Sequence, residues 1–182
     1  MERFTAEGIC KDVIDTPPPK MLTVKYPGGI SLTPGMVLTP TQVKDKPEVS
    51  FEADPNSFYT LLMHDPDAPS RAEPTAGEIQ HWLVVNIPGG DVSKGQEMTA
   101  YRGSGAPQGT GLHRYIFLLY RQQGKQEFDL PVIPFDKRNG RPKNKVRDFV
   151  AKFGLKELVA GNFFLAEYDD YVPILKKTYT DQ

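Results

Sequence analysis

The sequence predicts a mainly β protein, an antiparallel-dominated β-sandwich with short C-terminal helices. Three observations carry that reading. Proline and glycine are plentiful, 17 and 16 residues of 182, and spread along the chain. They cluster into breakers at Pro17-Pro18-Pro19, Pro27-Gly28-Gly29, Pro34-Gly35, Pro88-Gly89-Gly90 and Asn139-Gly140. Between the breakers lie short runs rich in β-branched and aromatic residues, and helical spacing occurs only late.

The clearest strands are Met21–Tyr26, Tyr59–His64, His81–Ile87 and Arg114–Arg121, with further candidates at Met36–Leu38, Val49–Glu52 and Phe163–Tyr168. Leu61-Leu62-Met63 and Trp82-Leu83-Val84-Val85 are apolar at consecutive positions, which places them in central strands covered on both faces. Near the N-terminus, Thr5–Val13 can form a helical turn that Gly8 interrupts. Asn144 is placed to cap a helix whose apolar residues Val146, Phe149, Val150 and Phe153 follow i, i+3, i+4, i+7 spacing, with Gly154 as its stop. A last short helix begins after Asp170, with Pro173 tolerated in its first turn. No internal repeat, long linker or low-complexity tract divides the chain, so residues 1–182 read as one domain.

Charge and cysteine content narrow the function classes. Lysine plus arginine is 22 and aspartate plus glutamate is 23, a formal charge of −1. No global basic field exists to hold nucleic acid, so any anion binding must be local. The single cysteine, Cys10, forms no internal disulfide and reads as a small packing residue. The opening residues MERFTAEGICKDVID lack an apolar stretch of signal-peptide length. No segment approaches the ~20 apolar residues that span a bilayer. The expectation is a cytoplasmic monomer.

The chemistry-bearing residues gather at strand ends. His64 and Asp65 close one strand and Pro66 forces the chain out of it. His81 opens the next, and His113 opens the strand after the glycine-rich stretch Gly103–Gly111. If the first two strands are antiparallel neighbours, Asp65 and His81 share an end. His113 joins them only if its strand runs parallel to that of His81. The 25-residue connection from Pro88 to Leu112 is long enough for that at ~3.3 Å per residue. Two imidazoles, a carboxylate and flexible backbone at one end of a sheet are the ingredients of a small polar pocket. Asp65 is expected to orient His81 and to favour its charged form. The glycines are expected to turn backbone N–H groups inward. Asp67 reads equally as turn chemistry or as a bidentate partner for an arginine such as Arg114. A phosphate-binding P-loop is excluded, because no Gly-Lys-Ser/Thr opens a helix.

The segment Tyr59-Thr60-Leu61-Leu62-Met63-His64-Asp65-Pro66-Asp67-Ala68-Pro69-Ser70-Arg71 resembles the first signature of the phosphatidylethanolamine-binding proteins, in their animal, Raf kinase inhibitor protein type. Gly103-Ser104-Gly105-Ala106-Pro107-Gln108-Gly109-Thr110-Gly111-Leu112-His113-Arg114-Tyr115 resembles the second. His81-Trp82-Leu83-Val84-Val85-Asn86 is similar to the histidine-led strand between them. Thr39–Val43 and Ala166–Pro173 are also family-like, so the resemblance covers nearly the whole chain. It implies a Greek-key sandwich and a pocket for phosphate-like anions. Carried over by position, the ligand-binding residues are Asp65, His81 and His113, with Gly105, Pro107 and Tyr115 in the wall and Ala68 and Pro69 at the rim. No metal and no cofactor are expected. The resemblance implies a cytosolic protein that binds phospholipid head groups and restrains kinase cascades by binding kinases.

The chain departs from the family pattern at named positions. Ile79 stands where an aromatic residue is frequent, Lys176 where the last helix often has a tyrosine, and His64 where a small residue is usual. Asp148 aligns with the serine of a phosphorylation switch. The loop Lys137–Arg147 holds six basic residues, suited to a solvated connection or to contact with an anionic membrane surface.

The function expected is therefore a non-enzymatic binding protein for phosphate-bearing small molecules or phospholipid head groups, with a protein kinase as partner. A serine protease inhibitor and a metal-assisted phosphoesterase are the alternatives. The latter needs three or more metal ligands, and Ser104 has no base assigned to it.

Overall fold

The computed structural model describes residues 1–181. Nine strands run in chain order: β1 Thr23–Tyr26, β2 Ile30–Ser31, β3 Met36–Val37, β4 Glu48–Ser50, β5 Phe58–Asp65, β6 Ile79–Pro88, β7 Gln96–Thr99, β8 His113–Arg121 and β9 Glu157–Ala166. Helices are α1 Glu2–Ala6, α2 Ile9–Asp12, α3 Val146–Phe153 and α4 Val172–Lys176. A three-stranded sheet has the order β2-β1-β4 and a six-stranded sheet the order β3-β9-β8-β5-β6-β7. Every named pairing is antiparallel except β3 with β9. The mainly β, antiparallel-dominated fold is as the sequence predicts.

Alternation across the large sheet builds two separate cores. Leu61, Met63, Trp82, Val84, Phe117 and Leu119 face one core, which the small sheet covers with Val24 and Tyr26. Leu62, Leu83, Val85, Ile116 and Leu118 face the other, closed by Phe4 and Ile9 of the N-terminal helices and by Val146 and Phe149 of α3. This two-sided cover is why β5 and β6 read as continuous apolar runs.

Several boundaries differ from expectation for physical reasons. Strand β9 begins at Glu157 and ends at Ala166, not Tyr168. Its interior Gly161 gives the N-terminal segment room to cross, bridging to Met21. Asn144 does not cap α3. Lys145 holds the cap position, while the Glu78 carboxylate accepts the Val146 N–H at 2.9 Å and so caps the helix from a distant segment. Asn144 instead donates to Gly140 O. Gly154 stops α3 in the left-handed region, and Gly8 separates α1 from α2 with the same geometry.

Candidate functional site

Strand β5 is antiparallel to both β6 and β8, so β6 and β8 run parallel to each other on either side of it. The end of β5 and the starts of β6 and β8 therefore coincide. There a cavity of about 310 Å³ is lined by Asp65, Ala68, Pro69, His81, Gly105, Pro107, His113 and Tyr115, all eight residues singled out from the sequence. Ile79 and Lys176, two of the departures from the family pattern, line it as well. Arg102, Arg138 and Tyr179 also reach it, and the sequence reading did not identify them.

The hydrogen bonds correct the expected roles. Asp65 orients His113, not His81: His113 Nδ1 donates to Asp65 Oδ2 at 2.9 Å. The other oxygen, Oδ1, accepts the Asp67 N–H at 2.7 Å, a short Asx-type turn that fixes the carboxyl. His81 Nδ1 donates to Arg102 O at 2.8 Å, a carbonyl that can only accept. Its ring meets Tyr115 edge-on at 5.3 Å between centroids. Both His113 nitrogens are engaged, because Nε2 lies 2.9 Å from Thr110 Oγ1, which also reaches Pro107 O at 2.8 Å.

A β-bulge aims His81. Met63 pairs with Trp82 but His64 pairs with Gln80, which leaves His81 without a ladder partner. Strict alternation from Val85 and Leu83 would send His81 to the helix-covered core. The extra residue instead turns it to the cavity, and Gln80 turns toward His64 Nε2 at 3.2 Å. His64 is the structural histidine of the three. It is fully buried and hydrogen-bonded to Glu78 at 3.0 Å.

Asp67 joins both readings weighed for it. It shapes the turn, and its carboxylate takes a bidentate clasp from Arg114, at 2.9 Å to Nε and 2.7 Å to Nη2. Arg114 continues to Asp12 and Glu7 O, which docks the N-terminal helices. The glycine run works differently from expectation. Positive φ occurs at Gly109 and Gly111, which do not line the cavity, and not at Gly103 or Gly105. At Gly103 the missing side chain is what counts, since a Cβ would lie 2.5 Å from Val43 O. The basic loop is not uniformly solvated: Arg141 is buried and Arg147 is held by Lys11 O, Ile14 O and Asp15.

Burial pushes the His81 imidazole down to about 3, with the Arg141 and Arg102 guanidiniums adding to the shift and the bond to Arg102 O opposing it. His81 is neutral at pH 7, contrary to the charged form expected. Burial also raises the Asp65 carboxyl, against the His113 contact. Burial raises the Tyr115 phenol well above its usual range, helped by Asp65 and Asp67, so it remains a donor. Linkage then fixes a sign. The unfolded chain takes up the His81 proton near pH 6.5, whereas the folded chain resists until about 3. Stability from His81 is complete above pH 6.5 and is lost as pH falls toward 3, at ~1.4 kcal/mol per unit. The raised Asp65 acts oppositely, so the difference from His81→Gln isolates the histidine. Between pH 7 and 5 the wild type should lose roughly 1–2 kcal/mol more than His81→Gln in urea melts. Equal losses would refute the buried neutral imidazole.

A family model described as phosphatidylethanolamine-binding protein matches residues 28–164. A Drosophila melanogaster relative, named "Putative odorant-binding protein A5", is 40% identical over 170 residues, covering 93% of this chain and 81% of its own. The solution structure of CG7054 is 49% identical with a TM-score of 0.77, covering 94% of this chain and 98% of that one. A carboxypeptidase Y inhibitor, crystallised with its cognate proteinase, is 26% identical with a TM-score of 0.78, covering 92% and 94%.

Proposed function

Because the chain belongs to the phosphatidylethanolamine-binding protein family, we propose that it is a non-enzymatic binding protein whose cavity takes the phosphoryl group of a phospholipid head group or small phosphorylated ligand. The observation that carries this reading is the polarity of the cavity. Its floor holds His81, Tyr115 and the Asp65–His113 pair, buried from bulk water. Its other charged lining groups, Arg102, Arg138 and Lys176, are all cationic. The one carboxylate is already matched by an imidazole and a backbone N–H. A phosphoryl-sized anion fits that field without an unpaired charge. A small-molecule cargo is also in keeping with the name of the Drosophila melanogaster relative. Action through a protein partner, a kinase in the first instance, completes the proposal.

The test is calorimetry with inorganic phosphate and phosphorylethanolamine, without added metal. Saturable binding is expected, weakened at least about tenfold in His81→Ala and His113→Ala. Unchanged affinity in both variants would move the ligand elsewhere. Turnover of a generic phosphoester in the same samples would favour the phosphoesterase. The likeness to the carboxypeptidase Y inhibitor supports a second reading, a serine protease inhibitor. Inhibition of a serine carboxypeptidase that survives the cavity substitutions would favour it.

A further inference from the structure

We infer that Arg102 is a positioning residue for the cavity: its backbone aims His81, and its guanidinium anchors the C-terminal segment as one wall. The inference rests on the phosphate-binding reading above and adds a residue that shapes the site without meeting the guest.

Two hydrogen bonds tie residue 102 to His81. The Arg102 N–H donates to His81 O at 2.9 Å, and the Arg102 carbonyl accepts from His81 Nδ1 at 2.8 Å. A carbonyl only accepts, so Nδ1 carries a proton in either charge state of the ring. This pair of bonds acts at the bulge, where β5 offers His81 no ladder partner.

The Arg102 side chain is committed to the end of the chain. It is buried, and Nη1 donates to Phe135 O at 2.8 Å and to Thr178 Oγ1 at 2.9 Å. Nη2 donates to Leu175 O at 2.9 Å. The guanidinium carbon lies 3.7 Å from the centre of the Tyr179 ring and 4.7 Å from that of Phe135. No carboxylate pairs with it among the described residues. A planar, weakly hydrated cation is suited to such an environment of carbonyls and rings, and an ammonium is not.

Leu175, Lys176 and Tyr179 line the cavity with His81. Helix α4 has five residues, too few to persist alone, and Val172 and Leu175 bury it against the body. Past α4 the other ties lie at the surface. Thr180 bonds Asp136 and Lys137, and the Asp181 carboxylate accepts the Arg138 and Asn139 N–H groups. Exposed bonds of this kind hold a segment weakly. The Arg102 cluster is thus the buried anchor of the Tyr179 wall, and one residue carries both that wall and the acceptor that orients His81.

The test pairs amide hydrogen exchange of the free protein with calorimetry using inorganic phosphate. Arg102→Met should speed exchange at the Arg138, Asn139 and Thr180 amides at least about tenfold. It should also weaken phosphate binding about tenfold, the scale on which residues that orient a binding group act. Arg102→Lys keeps the charge but not the plane, so it should restore neither property. Tyr179→Leu, near the chain end, should move both readouts the same way, and Tyr179→Phe should recover most of that loss. Adding Tyr179→Leu to Arg102→Met should cost little more, since both remove one contact. Should Arg102→Met not fold, Tyr179→Leu decides by the same two readouts. Unchanged exchange in these variants, or faster exchange with unaltered phosphate affinity, would overturn the inference. So would full binding by Arg102→Lys with Tyr179→Leu silent, which would make Arg102 a direct phosphate contact. A wild type that binds no phosphate while exchange responds as expected would overturn the phosphate-binding reading and support the anchor.

Discussion

Asp67→Ala should lower the unfolding free energy by about 3–5 kcal/mol in urea melts, the range for removing one partner of a buried ion pair. Asp67 is 1% exposed and Arg114 is 2% exposed. Deleting the carboxylate strips the guanidinium of two side-chain bonds and leaves the Arg114 N–H without its acceptor. The remaining anion, Asp12, has a side chain 45% exposed and is a weak substitute. The change also reaches the cavity, because the Asp67 N–H bonds Asp65 Oδ1 in the same turn. Asp67→Asn keeps the shape and one acceptor, so it should cost clearly less. A loss below about 1 kcal/mol for the alanine variant would mean that the clasp is incidental.

Arg141→Met should destabilise by about 3 kcal/mol and also weaken phosphate binding in the fraction that remains folded. The guanidinium donates to Lys137 O at 2.7 Å, to Ala100 O and Pro134 O at 3.0 Å and to Gln80 O at 3.3 Å. It thus ties the basic loop, the start of β6 and the segment after β7 into one block. Burial lowers its pKa to about 10, so it stays charged at neutral pH. Methionine fills similar space but supplies no donors, and the carbonyls of Gln80, Ala100, Pro134 and Lys137 lose their partner together. Gln80 and His81 form the bulge that aims His81, so loosening them should reduce affinity beyond the loss of stability. Unaltered affinity in the folded fraction would show that the bulge holds without Arg141.

Much of this was legible because some residues allow one reading only. Three consecutive apolar residues at Leu61–Met63 and four at Trp82–Val85 cannot all face one core, and they do face two. Asp65, His81 and His113 sit at strand ends whose convergence the sequence permitted without requiring it, and the place of β5 between β8 and β6 is what brings them together. What was illegible depends on register and on long-range partners. The bulge at Gln80–His81 leaves no local mark, so alternation alone could not say which imidazole the Asp65 carboxyl would meet. Glu78 caps α3 from the residue just before β6, and nothing near Asn144 announces that. β2 and β7 were missed because Ile30–Ser31 is too short for alternation and Gln96–Thr99 begins with two exposed polar residues. Arg141 looked like one charge among six, and only the carbonyls around it make it structural.

The central claim is that His81 and His113 face a space that accepts a phosphoryl group, while His64 does not. Imidazole resonances in an NMR titration with inorganic phosphate test it with an internal control. The His81 and His113 signals should shift saturably and in step, with the fully buried His64 signal unmoved. Movement of His64 alone, equal movement of all three, or no saturable movement of His81 and His113 would contradict the account.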